Sequence, residues 1–187
     1  WHQHIYIADA SEQSDFYYLI GQQCLSNYYS RYGPKFDQQV VETEVALNFL
    51  IGNYHFKGII DRLDHLESGE WVVHDYKTTK HPKSEAQAKN DIQLALYQIA
   101  IEQNYSQVNE ICLTWHFLRV GSEIKVIHTR DQLEKLKNKI IHMTDGIIQV
   151  LDNENNFLPK ETMLCNWCYL WEECTAKIGP NLVKQAV

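Results

Sequence analysis

Two neighbouring stretches constrain this chain most: Lys57-Gly58-Ile59-Ile60-Asp61-Arg62-Leu63-Asp64, and Trp71-Val72-Val73-His74-Asp75-Tyr76-Lys77-Thr78. The first carries Ile59-Ile60 and the second is rich in β-branched and aromatic residues, and Ser68-Gly69 between them reads as a turn, so they are predicted to pair as antiparallel strands. With the turn near Ser68, residues whose numbers sum to about 136 face each other, which sets Asp61 opposite Asp75 on one face of the sheet. Lys77, two residues beyond Asp75, points to that same face.

Two carboxylates this close repel each other, and the repulsion is relieved by protonating one or by binding a hard cation. Oxygen ligands favour Mg²⁺ or Mn²⁺. Such an ion polarises a phosphoryl oxygen and acidifies a bound water, while Lys77 steadies developing negative charge; the chemistry is metal-assisted phosphodiester hydrolysis. The ordinary reading is that Asp and Lys near hairpin ends form a solvated face or weak surface pairs. Against it, Ile59-Ile60 and Trp71-Val72-Val73 make these strands largely buried, where charge is costly. Gln93 and Tyr97 lie four apart on a following predicted helix, hence on one face of it. Glu44, in the preceding strand, is either an extra acidic group or an exposed strand residue, the latter being favoured.

The rest of the chain supplies a frame for this hairpin. Ser11 to Tyr32 shows helical spacing at Phe16, Ile20, Leu25, Tyr28 and Tyr29, with Ser11 or Ser14 as a cap. Gln39 to Thr78 reads as a three-stranded antiparallel meander, turning first at Ile51-Gly52-Asn53. One helix is predicted over Ser84–Tyr105, strands over Val108–Val120 and Glu123–Thr129, and a long helix over Arg130–Leu151. The fold expected is α/β, a mixed sheet flanked by helices. At 187 residues and 44% hydrophobic content, one domain is expected over 1–187, with its core about 39–129 and a C-terminal helix and tail about 130–178. No apolar run reaches the roughly 18 to 20 residues of a membrane span, and no leader peptide is visible, so no membrane partner is expected. The chain begins at Trp1, and a piece of a longer protein is expected.

Gly58-Ile59-Ile60-Asp61-Arg62-Leu63-Asp64, His74-Asp75-Tyr76-Lys77-Thr78 and Gln93-Leu94-Ala95-Leu96-Tyr97 together resemble the GxxDRxD, DYKT and QxxxY series of the RecB-like branch of the PD-(D/E)XK nuclease superfamily. The resemblance covers about Val41 to Val120 and implies a restriction-endonuclease-like αβββαβ core. It also implies Asp61 and Asp75 as metal ligands, with the Tyr76 backbone carbonyl as a third. Lys77 would be the catalytic lysine, supported by Gln93 and Tyr97. An upstream histidine often completes such sites; His2 and His4 are the residues available and stay unassigned.

The tail sequence Cys165-Asn166-Trp167-Cys168-Tyr169-Leu170-Trp171-Glu172-Glu173-Cys174 has C-x2-C-x5-C spacing. Three thiolates so placed can wrap an iron–sulfur centre or zinc, whereas the plain reading is three unrelated buried cysteines. Iron–sulfur nucleases of the AddB type and CRISPR-associated relatives carry such a trio with a fourth upstream cysteine. The resemblance therefore implies a [4Fe-4S] cluster on Cys165, Cys168 and Cys174 with its fourth ligand not identified in this sequence; Cys24 and Cys112 read as core residues. The odd, clustered cysteines fit a reducing, cytoplasmic setting.

A net charge of -7 gives no global attraction to a polyanion. The local excess at Lys77, Lys80, Lys83 and Lys89, beside His81, suits a DNA backbone. Trp115, Trp167 and Trp171 are candidates for stacking unpaired bases, although core aromatics are the commoner reading. The expectation is a Mg- or Mn-dependent DNA nuclease, an exonuclease of DNA repair or recombination, acting on single strands or duplex ends beside a helicase subunit or fused domain. The alternative is a non-catalytic DNA-binding or scaffold module of a helicase-nuclease complex, with the tail as a structural clasp.

Overall fold

A computed structural model of the chain describes residues 14–36, 38–151 and 159–177. The elements are α1 (Ser14–Tyr32), β1 (Val40–Ile51), β2 (Tyr54–His65), β3 (Trp71–Lys77), α2 (Glu85–Lys89), α3 (Ile92–Asn104), β4 (Ile111–Phe117), β5 (Ser122–Val126) and α4 (Arg130–Leu151), followed by a 3-10 turn over Met163–Trp167. They belong to two compact units, residues 20–146 and residues 1–19 with 147–187. The sheet lies wholly in the former.

Its strand order is β1-β2-β3-β4-β5. The meander β1-β2-β3 is antiparallel, β3 and β4 are parallel, and β5 returns antiparallel to β4. Parallel neighbours need a crossover, which α2 and α3 provide. The result is the expected mixed sheet flanked by helices. Gly52, at φ +59°, closes the β1–β2 hairpin in a left-handed conformation that a Cβ would strain.

The pattern of burial explains why β3 and β4 read as apolar runs. All seven β4 residues are buried, as are the first five of β3, since strands central to a covered sheet have no solvent face. The buried core gathers Val45, Leu47, Ile60, Leu63 and Val73 of the sheet with Leu94, Ala95 and Ile99 of α3 and Leu133, Leu136 and Ile140 of α4. Each such Val, Leu or Ile side chain contributes about 1.5–3 kcal/mol on burial. At the sheet's outer edge, Gln103 of α3 donates to the Leu50 carbonyl at 2.7 Å and accepts from the Leu50 N–H at 2.9 Å. Asn104 donates to the Asn48 carbonyl beside it.

Three expectations need correction. The single helix predicted over Ser84–Tyr105 is two, because Asp91 leaves the helix and turns its carboxylate to the N–H groups of Gln93 and Leu94, starting α3 afresh. The strand predicted over Val108–Val120 is confined to Ile111–Phe117. The stripe predicted for α1 is not the packed one: Leu25 and Tyr29 are exposed, and Cys24 is buried instead. There α1 meets the sheet mainly through polar groups, with Asn27 donating to the Leu118 carbonyl and Arg31 to the Gly121 carbonyl.

Candidate active site at the β2–β3 fork

The predicted register holds: Arg62 faces His74 and Leu63 faces Val73. The ladder ends there, one step before Asp61 and Asp75. Beyond it the Tyr76 N–H donates to Asp61 Oδ2 at 2.8 Å, so a side chain replaces the backbone partner that the diverging strand withdraws. Asp61 is thereby fixed at a fork, half-buried and next to Asp75.

Asp75 is 2% exposed. Its Oδ1 accepts from Gln93 Nε2 and from the Tyr97 hydroxyl, both at 3.2 Å. Its Oδ2 lies 2.6 Å from Lys77 Nζ as an ion pair, without a well-directed hydrogen bond. Lys77 Nζ in turn donates to Gln93 Oε1 at 3.0 Å, and Gln93 Nε2 donates to the Tyr97 hydroxyl at 2.8 Å. Asp75, Lys77, Gln93 and Tyr97 therefore form a closed ring of polar contacts. The amide orientation of Gln93 follows from its neighbours: Lys77 can only donate, and the carboxylate can only accept.

Burial pushes the Asp75 carboxyl above its ordinary range, and the Asp61 charge adds to that, while Lys77 and Tyr97 act in the opposite direction. Tyr97 is raised as well, by burial and by the Asp75 charge. A buried carboxylate beside a second one, with an oxygen lacking a hydrogen bond, fits a hard divalent ion. Asp61, Asp75 and the Tyr76 backbone carbonyl are the oxygen groups at this fork that could hold it.

The structure thus brings Asp61, Asp75, Tyr76, Lys77, Gln93 and Tyr97 together. Glu44 is exposed, with φ +53° in β1. Lys80, Lys83 and Lys89 are exposed; Lys83 pairs with Asp91 at 2.7 Å and lies 4.9 Å from the Trp115 ring centre. Trp115 itself is 1% exposed, so the commoner reading of a core aromatic holds for it and its ring is not open for stacking. His2 and His4, and the side chain of Trp167, lie outside the described residues. Among the described residues no three His, Cys, Asp or Glu side chains are disposed to hold a metal ion, so Cys165, Cys168 and Cys174 are not gathered into the expected ligand set. Their spacing is absorbed locally: Cys165 Sγ accepts from the Thr162 N–H and Cys168 ends the 3-10 turn. Cys24 and Cys112 are buried, as expected.

One constellation escaped sequence reasoning. Arg62, Asp64, His74 and Tyr76 alternate with Asp61, Asp75 and Lys77 and so point to the other sheet face. Arg62 grips both oxygens of Asp64, at 2.9 and 3.0 Å, and donates to the hydroxyls of Tyr28 and Tyr76. Its Nη2 lies 2.9 Å from His74 Nε2; since a guanidinium only donates, that nitrogen accepts. His74 Nδ1 then carries the proton and donates to His116 Nε2 at 2.7 Å, and His116 Nδ1 donates to Glu123 at 2.9 Å. The Tyr32 hydroxyl also donates to Glu123. Burial, then the Arg62 charge, lowers His74 to about 3. Burial lowers His116 to about 4 against the pull of Glu123. Both imidazoles are neutral links in a buried relay. The Arg-x-Asp spacing was the available signal.

Among solved structures, the protein SSO0001 is similar at 19% identity, with 89% of this chain and 73% of that one covered and a TM-score of 0.48. A candidate exonuclease from Eubacterium rectale is similar at 12% identity, with 91% and 64% covered and a TM-score of 0.44. The chain thus spans about two thirds to three quarters of these proteins' lengths. No curated protein matches. In a comparison with protein families, residues 8–175 match the PD-(D/E)XK nuclease superfamily. With nearly its whole length so matched, and with a mixed α/β sheet of the corresponding kind, the chain belongs to the PD-(D/E)XK nuclease superfamily.

Proposed function

We propose that this chain is a Mg²⁺- or Mn²⁺-dependent DNA nuclease, acting as an exonuclease in DNA repair or recombination and of the RecB-like branch. Membership of the superfamily implies phosphodiester hydrolysis and a DNA substrate; the finer assignment is supported by the ordered motifs and the closed Asp75–Lys77–Gln93–Tyr97 ring. That ring is the observation that carries the reading, because a scaffold has no need to keep a buried acid and an amine in mutual register.

In this reading Asp61, Asp75 and the Tyr76 carbonyl hold the ion. When bound, it polarises a phosphoryl oxygen and acidifies water. Lys77, about one third exposed, offers N–H donors toward the phosphate oxygens where charge develops. Gln93 orients Lys77 and Asp75 at once, and Tyr97 holds Asp75 from the helix side. Lys80, Lys83 and Lys89 contribute local positive charge for the DNA backbone. Given the net charge of -7, presentation of DNA ends by a helicase partner or fused domain belongs to the same proposal. The whole chain acts as one nuclease domain with its tail. The iron–sulfur cluster lacks comparable support and forms no part of this mechanism. Among the described residues no helix is long and apolar enough to cross a membrane.

Incubation with single- and double-stranded DNA plus Mg²⁺ or Mn²⁺ tests the reading, repeated with Asp75→Ala and Lys77→Ala. Cleavage that disappears in both variants supports it. Robust cleavage surviving both overturns the assigned site.

A further inference from the structure

Asp61 and Asp75 stand where β2 and β3 part, and like charges placed there favour opening the fork further. Ladder hydrogen bonds do not resist this, because the β2–β3 pairing ends at Arg62 and His74. On the site's own face the Tyr76 N–H on Asp61 Oδ2 links the two strands. That link is only as fixed as the Tyr76 peptide. On its far side β3 stays paired with β4 through Lys77 and Phe117; toward β2, the hold comes from the opposite face of the sheet.

The Tyr76 side chain alternates away from Asp75 and Lys77. Its hydroxyl accepts from Arg62 Nη1 at 3.1 Å and lies 3.2 Å from the Tyr28 hydroxyl. The same Nη1 donates to Tyr28 at 2.7 Å, so a guanidinium nitrogen of β2, a phenol of β3 and a phenol of α1 form a triangle. Arg62 is itself fixed, 6% exposed and bonded to both Asp64 oxygens. The rings are packed as well: Tyr28 meets Tyr76 edge-on at 5.6 Å, and His116 lies 5.0 Å from Tyr76. Each strand thus carries an acid of the fork and, on the next residue, an anchor behind it: Asp61 then Arg62, Asp75 then Tyr76.

We propose that Arg62, Tyr76 and Tyr28 are positioning residues of the ion site: the two phenol hydroxyls, gripped by one guanidinium, set the Tyr76 peptide so that Asp61, Asp75 and the Tyr76 carbonyl converge on one divalent ion. The inference rests on the metal-dependent reading above and deepens it, since it assigns site geometry to side chains that touch neither ion nor substrate. Groups that orient metal ligands from behind commonly govern affinity by roughly ten- to a hundredfold. Here they act through a peptide rather than directly on a ligand's side chain, so the lower end applies. Helix α1, which carries none of the proposed ligands, thereby tunes the site through Tyr28.

Tyr28→Phe and Tyr76→Phe remove the hydroxyls and keep the rings. Two readouts need no cleavage: calorimetric titration of the protein with Mn²⁺, and hydrogen exchange of the residue 76 amide followed by NMR without metal. Both variants are expected to bind Mn²⁺ about five- to tenfold more weakly and to exchange that amide about tenfold faster. In cleavage, the Mn²⁺ concentration giving half the maximal rate should rise by about the same factor, while the rate at saturating Mn²⁺ stays within about twofold. Tyr54→Phe is the control: it also loses a phenol hydroxyl, one bonded to Asp145 at the far end of β2, and should change none of these. Tyr28→Phe lies on a separate element and decides alone if Tyr76→Phe does not fold. Unchanged Mn²⁺ affinity in the folded variants overturns the positioning role, and so does equal weakening in Tyr54→Phe, which marks general loosening. A parent that binds Mn²⁺ no better than Asp75→Ala overturns the metal-dependent reading itself.

Discussion

Asp61 Oδ2 accepts from the Tyr76 N–H at 2.8 Å, so a side chain closes the gap left where the β2–β3 ladder ends. The carboxylate therefore serves the fold with one oxygen, and in the proposed function it also holds the metal ion. Asp61→Asn keeps an acceptor for that N–H, whereas Asp61→Ala does not. Both are expected to lose cleavage by at least about a hundredfold. Only Asp61→Ala should also lose stability, by about 1 kcal/mol. Cleavage assays and urea unfolding of the pair separate the two roles.

Removing Lys77 takes away the larger of the influences that lower the Asp75 carboxyl, leaving Tyr97 alone against burial and Asp61, which raise it. A carboxyl raised in the folded state binds more protons there than in the unfolded chain, so its contribution is present below about pH 3.9 and lost as pH rises through the folded value. Lys77→Met is therefore expected to lose more stability than the parent on going from acidic to neutral pH. Urea midpoints measured across that range check the sign.

Gln93 bridges Lys77, Asp75 and Tyr97. Gln93→Ala should lower kcat about ten- to a hundredfold through misplacement of the ring, with KM nearly unchanged. A rise in KM with kcat intact would instead assign Gln93 to substrate binding.

The neutral imidazoles His74 and His116 make folding sensitive to acid. Their folded values near 3 and 4 lie below the ordinary value of 6.5. The unfolded chain thus binds more protons between those limits, and stability falls as pH drops through that window. Unfolding free energy followed downward from neutral pH should decline well before the carboxylates titrate. His116→Gln, which removes one titrating link, should flatten the slope while lowering stability at neutral pH.

Asp91 both caps α3 and pairs with Lys83. Asp91→Ala should cost about 1 kcal/mol, and Asp91→Asn considerably less, because the amide oxygen still caps the helix. Thermal unfolding of the two variants decides.

The hairpin, its register and the group facing Asp75 were legible in the sequence because period-two alternation and a Ser-Gly turn fix which side chains share a face. Gln93 and Tyr97 were legible because a four-residue spacing is one helical turn. The helix break at Asp91 was not read, since helical spacing runs on through it and only the side chain's choice of backbone partners creates the stop. For Trp115 a core position was the commoner reading, but a stacking platform stayed open because sequence alone does not say which aromatics a covered central strand buries. The Arg62–His74–His116–Glu123 relay joins four separate strands, and beyond the Arg62-x-Asp64 spacing nothing local announces it. Close cysteine spacing suggested a shared ligand; in the described tail a 3-10 turn uses Cys165 for its own cap instead.

The clamp of Gln103 on both backbone groups of Leu50 bears on how the molecule behaves in a crowd. An open flank of a sheet is a template on which another chain's strand can grow, and here that template is spoiled at its end by an amide reaching across from a helix. An intruding strand would have to displace two hydrogen bonds before making its first one. Gln103→Ala is the change that would reopen the path to self-association without touching the β2–β3 fork.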